Sequence, residues 1–145
     1  MPDKLVAERT HNPEVLLLEE PGATCPVHSC GYLRSWIDEL PASPRVSVCT
    51  SLESASFASP ACIVARLSPR ESFAGLYAMV RKRWAAVPFL AVFCSYWVGV
   101  DRVARCLNDG IDDFLRCPFR RDETIARLER LLAYSGSARH AGRDR

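Results

Sequence analysis

The sequence contains no apolar run that approaches the roughly 20 residues needed to cross a bilayer. Its first residues, MPDKLVAERTHNPEV, also lack the basic, apolar and small-residue order of a secretory signal peptide. These two absences predict a cytoplasmic protein that does not contact a membrane.

A strong excess of charge is absent as well. The 145 residues carry a formal net charge of only +2, so the chain has no broad basic field of the kind that nucleic-acid binding uses. With 48% hydrophobic and 25% charged residues, the composition is that of an ordinary globular protein, and the length suits one domain with its own core. We therefore expect a single folded domain without direct contact to nucleic acid.

Apolar periodicity divides the chain into five strand and helix units. Continuous or alternating apolar runs predict strands, and apolar residues at every third or fourth position predict helices. The predicted strands cover residues 13–20, 45–51, 61–68, 89–95 and 112–117. The predicted helices cover residues 28–40, 52–59, 70–87, 100–110 and 122–134.

Two helix ends carry recognisable signals. Gly110 is predicted at the C′ position of the fourth helix, in which Val100, Val103 and Leu107 are expected to face the core. Asp122 is predicted to be the N-cap of the fifth helix.

Strict alternation of strands and helices predicts a parallel sheet covered by helices on both faces. In such a sheet, functional groups lie at the carboxyl ends of the strands. The folded domain is expected to span residues 13–134, after an N-terminal extension of residues 1–12. Residues 135–145 lack apolar periodicity and are predicted to be a linker or disordered tail.

The segment GIDDFLRCPF, residues 110–119, followed by RRDETIARLERLLA, resembles the end of the receiver domain of two-component response regulators in spacing and composition. VLLLEE and GLYAMVRKRW resemble the family's first strand and third helix. The resemblance covers about residues 13–134. It implies an α/β fold, the flavodoxin-like (CheY-like) three-layer sandwich whose five parallel strands have the order 2-1-3-4-5.

The resemblance also implies where a receiver's chemistry would lie. A receiver holds Mg²⁺ with an acidic pair after its first strand and carries a carboxylate nucleophile after its third, a hydroxyl after its fourth and a lysine after its fifth. The corresponding positions here are Glu19, Glu20, Arg66, Ser95 and Cys117, and a second count gives Leu67 in place of Arg66. No acidic residue occurs between residues 54 and 70, so an acyl phosphate has no acceptor.

Arg66 has two possible roles at that position. It either pairs with Glu19 and Glu20, filling the space of the metal and the phosphoryl group, or points to solvent. Cys117 then has no phosphoryl group to hold, and a thiol cannot replace an ammonium group there. These departures predict a pseudo-receiver, a non-enzymatic regulatory domain of a signal-transduction or transcription regulator that uses no cofactor.

The fourth helix, fifth strand and fifth helix form the surface through which receivers pair or contact their output domains. The candidate contact residues in this sequence are Trp97, Asp101, Asp112, Asp113, Leu115, Arg116, Glu123, Arg127 and Arg130. Their opposite charges suit a symmetric homodimer, although the same charges could form only a solvated face. The tail further predicts that an output domain of the same chain is missing.

Cysteine chemistry leaves other functions open. The odd number of cysteines, seven, favours reduced thiols over a disulfide framework, and CPVHSC, with Cys25, His28 and Cys30, lacks the second ligand pair of a standard zinc site. We therefore predict no metal. A redox switch among Cys25, Cys30 and Cys117, a small-ligand sensor in the vacated pocket and a phosphoacceptor receiver with another aspartate stay open as alternatives.

Overall fold

The computed structural model of the chain describes residues 12–19, 29–51, 59–66, 73–94 and 100–143. Within them, five strands form one parallel sheet in the order β2-β1-β3-β4-β5. The strands are β1 (Glu14–Glu19), β2 (Arg45–Cys49), β3 (Cys62–Arg66), β4 (Phe89–Cys94) and β5 (Asp113–Cys117). The predicted flavodoxin-like fold and strand order are confirmed.

The described helices follow the predicted alternation. After a 3-10 turn at Ser29–Tyr32 come α1 (Leu33–Asp38), α2 (Phe73–Arg83), α3 (Val100–Asp109) and α4 (Arg121–Arg143). The predicted helix at 52–59 lies outside the described residues, except for residue 59, which is not helical. The fourth and fifth predicted helices are therefore α3 and α4.

The continuous apolar run of the first strand is explained by its central position. Residues 15–18 are all buried because β1 lies between β2 and β3 and is covered on both faces. Leu16 and Leu18 belong to the apolar cluster under α2 and α3, whereas Val15 and Leu17 belong to the cluster under α1 and α4. One strand thus connects both halves of the core.

The predicted helix at 70–87 ends earlier in the structure, at Arg83. The Arg81 guanidinium donates hydrogen bonds to the carbonyls of Trp84 and Val87. A side chain therefore satisfies these carbonyls outside the helix, and the chain turns toward Pro88 instead of completing another helical turn.

The inward face of α3 is rotated relative to the prediction. Of the three residues predicted to face the core, Val103 is buried, Leu107 is 40% exposed, and the side chain of Val100 lies outside the described residues. Cys106 is buried beside Val103. Gly110 follows the helix with a φ of 112°, as its predicted C′ position requires. Its N–H donates to the carbonyl of Leu107, and the N–H of Ile111 donates to that of Cys106, the two bonds of a Schellman motif.

The ends of α4 also differ from the prediction. The helix begins at Arg121, so Asp122 lies in its first turn and is not the N-cap. Thr124 closes this turn, because both its N–H and its hydroxyl donate to the carbonyl of Arg120. The helix continues to Arg143, beyond its predicted end at residue 134. The domain boundary at 134 and the linker or tail at 135–145 stay predictions. In the described part of the chain, no helix combines the length and apolarity needed to span a membrane.

Candidate functional site

The carboxyl ends of β1 and β3 mark the point where the strand order reverses. The chain leaves β1 toward β2 on one side and β3 toward β4 on the other. Ligands of open α/β sheets bind outside the strand ends at such a switch point. Glu19 ends β1, Arg66 ends β3, and the two residues are partners in the strand register.

Arg66 and Glu19 form an ion pair at this switch point. The Arg66 Nη1 atom lies 3.1 Å from Glu19 Oε1, and the two side chains are 7% and 28% exposed. A buried guanidinium is costly unless an anion is close to it, and Glu19 supplies that anion. Of the two roles predicted for Arg66, pairing with Glu19 is confirmed and pointing to solvent is wrong. Glu20 and Leu67 lie outside the described residues.

Cys117 ends β5 at the same edge of the sheet. It is 1% exposed and belongs to the apolar cluster that contains Leu115 and Phe119. Its peptide bond to Pro118 is cis. The position that the resemblance assigns to a lysine therefore holds a small buried side chain, while Ser95 lies outside the described residues.

The strand register adds a residue that the sequence analysis did not place at the site. Cys94, at the end of β4, is the register partner of Cys117. Both cysteines were predicted in strands, but a sequence pattern does not give the register between two strands of a parallel sheet. The only available signal was that each cysteine lies close to its predicted strand end.

A second group of charges surrounds Asp113 at the start of β5. Asp113 is 5% exposed, and its two carboxylate oxygens lie 2.6 Å from Arg127 Nη1 and 2.6 Å from Arg130 Nη2, respectively. The hydrogen bond with Asp113 raises the pKa of Arg127, which also contacts Glu123 at 3.3 Å. These predicted surface charges are thus paired within the chain.

Asp112 is also engaged within the chain. Its Oδ2 accepts a hydrogen bond of 2.7 Å from the N–H of Phe89 and lies 3.2 Å from Arg81 Nη2. Arg81 in turn donates to the hydroxyl of Tyr77, which donates to the carbonyl of Gly110. This network joins α2 to the start of β4 and to the connection between α3 and β5.

The other residues predicted for a partner surface have mixed positions. Asp101 is exposed on α3, and Arg116 is half-buried on β5. Leu115 is fully buried and does not belong to a surface, because β5 turns it toward the cluster under α1 and α4. Trp97 lies outside the described residues.

The remaining cysteines are mostly part of the core. Cys106 and Cys62 are buried, and burial, assisted by the charge of Asp112, raises the pKa of Cys62 to about 12. Cys49 is half-buried against the cluster under α2 and α3. Among the described residues there is no group of three side chains that could hold a metal ion. Cys25, His28 and the side chain of Cys30 are outside that description.

No protein-family model and no curated protein matches this sequence. Solved structures do resemble it. The non-phosphorylated HemR receiver domain from Leptospira biflexa is 23% identical with a TM-score of 0.54, and the match covers 82% of this chain and 94% of that one. The receiver domain of a signal transduction histidine kinase from Syntrophus aciditrophicus is 19% identical with a TM-score of 0.61, covering 83% and 90%.

A third match is to a much longer protein. NtrX from Brucella abortus, solved in complex with ADP, is 16% identical with a TM-score of 0.70. The match covers 92% of this chain but only 30% of NtrX. Because all three identities are low, the matches bear on the fold, and they show that this chain has the fold of response regulator receiver domains.

Proposed function

We propose that this chain is a non-enzymatic regulatory domain of a signal-transduction or transcription regulator, and that it acts without phosphorylation by pairing with a second copy. The observation that carries the proposal is the ion pair between Arg66 and Glu19 at the switch point of the sheet. Receiver domains place their nucleophile and metal ligands at this edge, and here a guanidinium and a carboxylate neutralise each other.

The ion pair makes a metal-assisted phosphoryl transfer unfavourable. Arg66 offers a positive charge where the reaction needs a carboxylate nucleophile, and Glu19 is engaged by that charge and is not free to hold Mg²⁺. The strand ends of β1 and β3 are then joined in one arrangement without a ligand. A domain of this kind transmits a signal through contacts and not through a phosphorylated state.

The proposed pairing surface consists of α3, β5 and α4. Among the described strands, β5 pairs only with β4, so its other side is an edge of the sheet. Half-buried Phe114 lies on β5 with the Arg127 guanidinium 5.9 Å from its ring, and Leu107 of α3 is 40% exposed. This surface therefore offers apolar contacts beside charges of both signs.

Arg130 is the best candidate for a contact across the proposed interface. Its side chain is 67% exposed although Nη2 binds Asp113, and a guanidinium has five N–H donors in all. It lines a surface cavity of about 390 Å³ together with Glu123, Ala126 and Arg127. In a two-fold symmetric dimer, an exposed acid of α3 such as Asp101 would meet a basic group of α4 from the other copy.

Sedimentation of the wild-type protein and of Arg130→Ala tests the pairing. We expect a wild-type dimer and, for Arg130→Ala, a dissociation constant raised about tenfold, the loss typical of a moderate interface contact. Arg121→Ala is the matched control, because Arg121 is an exposed arginine of the same helix that binds Glu39 beside α1. A wild-type monomer at all concentrations, or equal effects of the two variants, would contradict the proposal.

A further inference from the structure

Cys94 and Cys117 occupy neighbouring positions at the carboxyl ends of two adjacent strands. They are the last pair in the register of β4 and β5. The preceding same-face pairs are Val92 with Leu115 and Leu90 with Asp113. Leu90, Val92, Leu115 and Cys117 all belong to the apolar cluster under α1 and α4. The backbone period of two assigns position 94 to the same face of the sheet as position 117, and the side chain of Cys94 itself lies outside the described residues.

The spacing of paired strands permits a covalent bond between these two residues. Neighbouring strands lie about 4.8 Å apart, which falls within the range of about 4.4–6.8 Å between the Cα atoms of disulfide-bonded cysteines. Both residues lie next to the segment that connects β4 to α3 and to the turn before α4. A bond here would therefore join the two strand ends from which the proposed pairing surface begins.

We propose that Cys94 and Cys117 form a reversible disulfide, so that this edge of the sheet is a redox site. The proposal goes beyond the proposed function and does not require it. Phosphorylated receivers use the ends of the fourth and fifth strands to hold a phosphoryl group, whereas in this chain a bond between the same two strand ends would change with the redox state.

The oxidant class is a peroxide, and the reaction balances with hydrogen peroxide. One thiolate attacks the peroxide and becomes a sulfenic acid, with release of hydroxide. The second thiol then attacks the sulfenic sulfur, so that the S–S bond forms, the S–O bond breaks and water leaves. The proton lost by each thiol ends in water, and in total two thiols are oxidised while one peroxide is reduced to two waters.

Burial sets the rate of this reaction. Cys117 is 1% exposed, so peroxide reaches it only when the end of β5 opens, and strand ends open at a lower free energy than the core. Cys62 provides a control for burial, because it is fully buried with a pKa raised to about 12 and its register partner in β1 is Val15. It is expected to stay a thiol under the same treatment.

Peptide mapping of the peroxide-treated full chain tests the proposal. After remaining thiols are alkylated, trypsin releases residues 84–102, which carry only Cys94, and residues 117–120, which carry only Cys117. We expect these two peptides to be linked, and to separate after reduction. The link should persist in Cys62→Ala and be lost in Cys94→Ala and Cys117→Ala, whose folding is checked by circular dichroism.

If a variant fails to fold, the peptide map of the peroxide-treated wild-type protein tests the disulfide by itself. Recovery of residues 117–120 as the alkylated peptide, or their linkage to a peptide carrying Cys25, Cys30 or Cys62, overturns the proposal. The map is made on oxidised protein that keeps the monomer mass in non-reducing gel electrophoresis, so a link between the two peptides reports a bond within one chain. A failure of this bond is therefore distinct from a failure of the proposed function, which shows in sedimentation and in phosphorylation assays.

Discussion

Tyr77 and Gly110 approach each other so closely that a Cβ atom on Gly110 would lie 2.7 Å from the Tyr77 hydroxyl oxygen. Gly110 also has a φ of 112°, a conformation that residues with side chains rarely adopt. Gly110→Ala is therefore expected to lower the free energy of unfolding by about 1–3 kcal/mol, measured by urea denaturation.

The contact and the backbone strain can be separated with a second substitution. Tyr77→Phe removes the hydroxyl that the new methyl group would meet, but leaves φ unchanged. In the Tyr77→Phe background, Gly110→Ala should therefore cost less than in the wild type. An equal cost in both backgrounds would show that the contact with Tyr77 does not restrict this position.

The ion pair of Glu19 and Arg66 predicts unequal effects of its two single substitutions. Glu19→Gln leaves the buried guanidinium without its carboxylate and is expected to cost about 1–3 kcal/mol of unfolding free energy. Arg66→Met removes the buried charge together with its desolvation cost and should cost less. Adding Glu19→Gln to Arg66→Met should then have little further effect, which a double-mutant cycle by chemical denaturation measures. Additive effects would contradict the pairing.

Asp113 is predicted to matter for stability because its carboxylate binds two arginines. Asp113→Asn should lower the free energy of unfolding by about 1.5–3 kcal/mol, as expected for lost hydrogen bonds to charged groups. Asp122→Asn is the matched control on α4, because the Asp122 side chain is 94% exposed and contacts Arg121 at 3.3 Å. It should change stability little. Similar losses for both variants would contradict this role of Asp113.

The raised pKa of Cys62 predicts a loss of stability at alkaline pH. Below pH 9 the thiol is protonated in both states, whereas between about pH 9 and 12 it ionises in the unfolded chain and stays protonated in the folded one. The unfolded state then binds fewer protons, so stability falls as the pH rises through this window. Cys62→Ala should give a shallower fall than the wild type or the half-buried control Cys49→Ala in pH-dependent denaturation, and equal slopes would contradict the assignment.

The fold could be predicted because its signals are local. The buried run of β1 and the glycine after α3 show in the sequence which segments are strands and where a helix stops. The end of α2 could not be predicted, since it depends on the Arg81 side chain reaching the carbonyls of Trp84 and Val87. The exposure of Leu107 likewise depends on how α3 lies on the sheet, which apolar spacing alone does not determine.

The candidate site could be predicted only in part. The resemblance placed Glu19, Arg66 and Cys117 at one edge, and the structure shows that the first two are paired. Whether Arg66 pairs or points to solvent depends on the register of β1 and β3. Likewise, Cys94 and Cys117 are neighbours because of the register between β4 and β5. Register is a tertiary property, so a single sequence leaves it open.

The most direct test of the central claim is the intact mass of the protein after incubation with acetyl phosphate and Mg²⁺. A receiver domain with an aspartate nucleophile serves as the positive control in the same buffer. We predict that the control gains the mass of one phosphoryl group while this chain stays at its unmodified mass. A phosphoryl group on this chain that hydroxylamine removes would reveal an acyl phosphate, and would contradict an account in which Arg66 and Glu19 replace the phosphorylation site.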